Sequence, residues 1–61
     1  MNFLYCFDNN FNLQALNSIN SIINKSKSKN LSFYIIHDSP RDFADLIEKY
    51  LSEYKNIITI F

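Results

Sequence analysis

Phe3-Leu4-Tyr5-Cys6-Phe7-Asp8-Asn9-Asn10-Phe11 sets an unbroken apolar run against an acid, two amides and a further aromatic. The change of character between Phe7 and Asp8 marks the end of an element. Residues 3–7 are short and aromatic-rich, which favours a strand. They are apolar at both alternating positions, the pattern of a strand buried on both sides of a parallel sheet. Asp8, Asn9 and Asn10 are turn and helix-cap residues. A polar turn at the carboxyl end of a strand has two readings. One is a plain strand-to-helix connection, with Asn10 capping and Phe11 tucked against the strand. The other is the rim of a nucleotide site. There Asp8 accepts from a ribose hydroxyl or a base N–H, Asn10 donates and accepts, and Phe11 lies flat on a base.

Outward from this turn the chain alternates in period. Residues 11–24 place Leu13, Leu16, Ile19, Ile22 and Ile23 at spacings of three to four, one stripe of a helix. Asn17, Ser18, Asn20 and Ser21 fall mostly off the stripe and are mediocre helix formers, so packing has to hold this helix. Lys25, Lys27 and Lys29 alternate with serines in the loop that follows, either a solvated connection or a small phosphate-attracting patch. Residues 31–37 (LSFYIIH) read as a second strand. Ser39 as N-cap, Pro40 at the first helical position and Asp42 three residues after the cap open a second helix over residues 40–54. Its stripe is Phe43, Leu46, Ile47, Tyr50, Leu51 and Tyr54. Asp42 and Asp45 complement the positive end of its dipole and Lys49 the negative end, and Asp45 and Lys49 can pair at i, i+4. Residues 57–61 (IITIF) form a third strand, and the first extends over residues 2–7.

The order β-α-β-α-β predicts one α/β domain over residues 1–61, with a three-stranded parallel sheet. Right-handed crossovers put both helices on one face. Strands apolar on both faces then leave the other face bare. The chain therefore reads as the opening segment of a larger domain, or as part of an oligomer that supplies the cover.

Composition excludes several classes. Sixty-one residues allow one domain, small for a self-sufficient core. Six basic residues balance six acidic ones, so no global charge points to nucleic acid. The first residues lack a signal peptide's positive region, and no apolar stretch approaches the ~20 residues of a membrane span. A cytoplasmic setting fits. Cys6 is the single cysteine, so no internal disulfide forms, and neither a Cys-x-x-Cys nor a histidine pair offers a structural metal site. With no glycine there is neither a G-x-G-x-x-G fingerprint nor a phosphate loop. His37 and Asp38 tempt a metal or acid–base reading. Neighbours on a strand point to opposite sides, however, and a lone histidine at a strand end is more often structural. Asp38 then helps to cap the following helix. Cys6 reads as a small buried apolar residue, and a catalytic Cys6–His37 pair is the weaker alternative.

The ordered set of elements from Phe3 to Ser39 resembles the amino-terminal segment of the family-8 glycosyltransferases, retaining enzymes that use sugar nucleotides. In that family an apolar strand ends in an Asp-x-Asn-Tyr-like turn, matched here by Asp8-Asn9-Asn10-Phe11. A helix with Ser-x-x-x-Asn-like positions follows, matched within residues 18–24. A lysine- and asparagine-rich loop then leads to a strand reading roughly Phe-Tyr-Ile-Leu-His-Asp, matched by residues 33–38. The similarity covers most of this chain and about a fifth of a whole enzyme. It implies the first part of a GT-A, Rossmann-like nucleotide-binding domain. It further implies that Phe7, Asp8, Asn9 and Asn10 contact the uracil and ribose of a UDP-sugar, with Phe11 stacked on the base. Phenylalanine where the family has tyrosine keeps the stacking face and loses a hydroxyl. The resemblance implies a hexosyl transfer to a carbohydrate acceptor such as the lipopolysaccharide core. The family's Asp-x-Asp, which holds Mn2+ or Mg2+, has no counterpart in these residues. No catalytic and no metal-binding residue is thus assigned, and the segment alone is expected to be inactive. The alternative is a small non-enzymatic α/β module, or a flavodoxin-like regulatory fragment, that self-associates through its open sheet.

Overall fold

The computed structural model describes residues 1–26 and 30–61. Lys27 and Lys29 of the lysine–serine loop lie outside the described residues. The elements are β1 (Asn2–Phe7), α1 (Asn12–Lys25), β2 (Ser32–His37), α2 (Pro40–Tyr50) and β3 (Ile58–Ile60). Short 3-10 helices, Asn9–Phe11 and Ser52–Ile57, precede α1 and β3. The strands form one parallel sheet in the order β1-β2-β3. β1 and β2 pair along their full length, from Asn2 opposite Ser32 to Phe7 opposite His37. β3 pairs more briefly, with Phe33 opposite Ile58 and Ile35 opposite Ile60.

Phe33 and Ile35 of the central strand are fully buried. They share one core with Ala15, Leu16 and Ile19 of α1 and with Phe43, Ile47 and Leu51 from α2 and its end. Both helices thus lie on the same face, as same-handed crossovers between sequential neighbours require. Phe3, Tyr5 and Phe7 face this core from the edge strand and are half-buried. Phe3 stacks on Phe33, with ring centroids 5.1 Å apart. The Tyr5 hydroxyl and Ser18 Oγ hydrogen-bond at 2.8 Å, tying β1 to α1.

The opposite face carries the alternate residues, and they are exposed: Leu4 at 71 % and Ile36 at 46 %, with Cys6, Tyr34 and Thr59. The strands are apolar on both sides, yet the described residues cover one side only. Cys6, expected to be buried, is exposed because its place in the alternation turns it away from the helices.

Three local differences from the sequence reading have physical causes. Leu13 is 67 % exposed, and the core-facing stripe of α1 runs through buried Ala15, Leu16 and Ile19 and partly buried Ile22 and Ile23. At about 100° per residue, Leu13 stands roughly 120° round the helix from Ile19, off the core face. The second helix stops at Tyr50 rather than at 54, because Leu51 leaves helical geometry (φ −132°, ψ 34°) to bury its side chain. The following 3-10 segment carries Tyr54 and brings the chain to β3. The expected Asp45–Lys49 pair is absent among the described residues, and Lys49 Nζ instead lies 5.2 Å from the Tyr50 ring centroid.

Candidate functional site

In an open parallel α/β sheet, ligands collect beyond the carboxyl ends of the strands. Here that end is formed by the turns after Phe7 and His37. Asp8 caps the 3-10 turn: its Oδ1 accepts from the Asn10 backbone N–H at 3.0 Å, and its carbonyl accepts from Phe11 N–H at 3.0 Å. The side chain that caps is therefore Asp8 rather than Asn10. Phe11 occupies the N-cap position of α1 without a capping side chain. Phe11 is 55 % exposed.

A run of side-chain hydrogen bonds crosses the same end of the molecule. Ser39 N–H donates to His37 Nδ1 at 2.9 Å, which leaves the proton of the neutral ring on Nε2. Nε2–H then donates to Asn12 Oδ1 at 2.8 Å. Asn12 Nδ2 donates to Asn9 Oδ1 at 2.8 Å, and Asn9 Nδ2 donates to Asp42 Oδ2 at 3.1 Å. These bonds fasten the starts of α1 and α2 to each other and to the end of β2. His37, with its side chain fully buried, has both ring nitrogens occupied by this arrangement. Phe7 and Phe43 enclose the ring, with centroids 5.0 and 5.7 Å away. The bend after β2 brings Asp38 Oδ1 within 3.3 Å of Nδ1, although the two residues adjoin in sequence. Ser39, expected to cap α2 with its hydroxyl, serves through its backbone: its N–H holds His37 and its carbonyl accepts from Asp42 N–H at 3.0 Å.

An open groove of about 890 Å³ runs along this end of β1. Phe7, Asp8 and Phe11 line it, and Tyr5, Gln14 and Ser18 form its wall on the helix side. Cys6 and Ile36 carry it round onto the bare face, and His37 and Asp38 close its end. Among the described residues that line it, the charged groups are the carboxylates of Asp8 and Asp38. Of the five residues expected to contact a nucleoside, the structure brings Phe7, Asp8 and Phe11 to the groove. Asn9 and Asn10 do not line it. Asn9 is committed to Asn12 and Asp42, and Phe7 packs edge-on against Phe43 at 4.8 Å. Cys6 and His37 lie on opposite faces of the sheet, so they form no catalytic pair. Among the described residues, no three of His, Cys, Asp and Glu come together to hold a metal ion, and no helix is long and apolar enough to cross a membrane.

Sequence reading missed the contributions of Gln14, Ser18 and Ile36 to the groove. Serine or isoleucine at those positions has no local signature, since the groove appears only when α1 lies across β1. Comparison of the chain with protein-family models, with curated proteins and with solved structures returns no match.

Proposed function

We propose that the groove beyond β1 is the nucleoside-binding half of a sugar-nucleotide donor site, in the manner of the family-8 glycosyltransferases that the sequence resembles. The observation that carries this reading is the placement of Phe11: an exposed ring standing beside the Asp8 carboxylate at the mouth of an aromatic-lined groove. A planar base stacks on such a ring, and stacking contributes about 1–3 kcal/mol per base. Asp8 uses Oδ1 for the turn, which leaves Oδ2 for a ribose hydroxyl or the N–H of uracil. Phe7 sets the position of the turn through its packing against Phe43 and His37 rather than by touching the ligand.

The groove's charge limits the assignment to the nucleoside. Among the described residues its lining offers a diphosphate two carboxylates and no cation, so on this reading the phosphates of a UDP-sugar point away from it. The divalent ion and the acceptor site belong, on this reading, to polypeptide beyond these residues, and the chain by itself transfers no sugar. Calorimetric titration of UDP into the wild-type chain and into Phe11→Ala tests the reading. Phe11→Ala is expected to weaken binding by about 1–3 kcal/mol. An unchanged dissociation constant removes Phe11 from the site.

A further inference from the structure

The groove has a direction. Its outer end is the turn of Asp8 and Phe11, and its inner end is the pair of Tyr5 and Ser18, whose hydroxyls bond at 2.8 Å. Phe11, Gln14 and Ser18 all line it, at spacings of three and four residues. That spacing sets them one after another along the groove side of α1 and the turn before it. Gln14 therefore stands one helical turn inward of Phe11, about 4.5 Å further along the axis.

The polar side chains of the lining differ in what they have left to offer. His37 has both ring nitrogens engaged, and the Tyr5 and Ser18 hydroxyls engage each other. Asp8 keeps one carboxylate oxygen, an acceptor only. Gln14 is exposed, and among the described residues its side-chain amide has no hydrogen-bond partner. That amide offers a donor and an acceptor together.

The geometry points to Gln14 as the residue that hydrogen-bonds the C4 substituent of a pyrimidine base. This inference rests on the nucleoside reading of the groove and adds which edge of the base is read. A base stacked on Phe11, with its phosphates directed out of the groove, carries its ribose on the outer side. The ribose is attached at N1, and C4 lies across the ring from N1. The C4 substituent is therefore the innermost part of the base, on the side of Gln14. For uracil that substituent is O4, a pure acceptor, and Gln14 Nε2–H donates to it. For cytosine it is an amino group, and Gln14 Oε1 accepts from it once the amide has turned over. A carboxylate at the same position can do only the second.

Calorimetric titration of UDP and of CDP into the wild type, Gln14→Ala and Gln14→Glu tests the assignment. Position 14 is exposed and lies in the first turn of α1, where an acid suits the helix dipole, so both variants are expected to keep the wild-type circular dichroism spectrum. Gln14→Ala is expected to weaken UDP binding roughly 3- to 10-fold through the lost hydrogen bond. Gln14→Glu opposes O4 of uracil and accepts from the amino group of cytosine, so the UDP-to-CDP affinity ratio is expected to fall roughly tenfold. An unchanged UDP dissociation constant in Gln14→Ala overturns the assignment. So does a Gln14→Glu variant that weakens UDP and CDP by the same factor, the result of a general charge effect beside Asp8. UDP binding that Phe11→Ala weakens and Gln14→Ala does not refutes this inference alone. A wild type that binds no UDP refutes the nucleoside reading and this inference with it.

Discussion

His37 is buried among aromatic rings at the end of the central strand, where an imidazole with an unpaired nitrogen would be costly. The cost is avoided by one backbone N–H, from Ser39, and one side-chain carbonyl, from Asn12. Asn12 is in turn held by Asn9, and Asn9 by Asp42, so four side chains and one backbone group act together. Asn12→Ala deprives the buried Nε2–H of its acceptor and is expected to lower stability by about 1–3 kcal/mol in urea denaturation. An unchanged midpoint would show that His37 does not depend on this partner. The sequence marked the turn at Asp8 and the strand end at His37. It did not show which asparagine does what, because Asn9, Asn10 and Asn12 are equally good turn residues in isolation. Their division of labour is set by the approach of the two helix starts, a tertiary event with no local signature.

At the scale of elements, the strand–helix order was legible because the hydrophobic period changes from two to about 3.6 and back along the chain. Helix faces and ends were less so. Leu13 satisfied the spacing rule but stands about 120° from the centre of the buried stripe, while Ala15, too small to weigh in the pattern, is in the core. Leu51 satisfied the stripe of α2 and is buried, yet it lies beyond the helix. A residue can obey helical spacing for one step after the helix has ended. Leu13→Ala is accordingly expected to change stability by no more than about 0.5 kcal/mol. Leu51→Ala is expected to cost about 2–5 kcal/mol through the cavity it leaves. Thermal or chemical denaturation of the two variants side by side checks both, and equal effects would contradict the assigned core.

For the whole molecule, two helices on one face of a three-stranded sheet leave a covered side and an uncovered one. Both were legible: the apolar alternation on each side of the strands, and the same-handed crossovers that gather the helices together. What alternation cannot tell is which of the two apolar sides the helices take, and so Cys6 read as buried. The consequence is that the carboxyl-end groove reaches round to the bare face, with Cys6 and Ile36 in its lining.

The nucleoside reading of that groove is tested most directly by following the backbone amide resonances of the isotope-labelled chain as UDP is added. Binding as described here shifts Asp8, Asn10, Phe11, Gln14 and Ser18 in a saturable manner, while the amides of residues 44–57, on the far side of the core, stay in place. An absence of saturable change at the Asp8–Phe11 turn, or changes centred elsewhere, would contradict it.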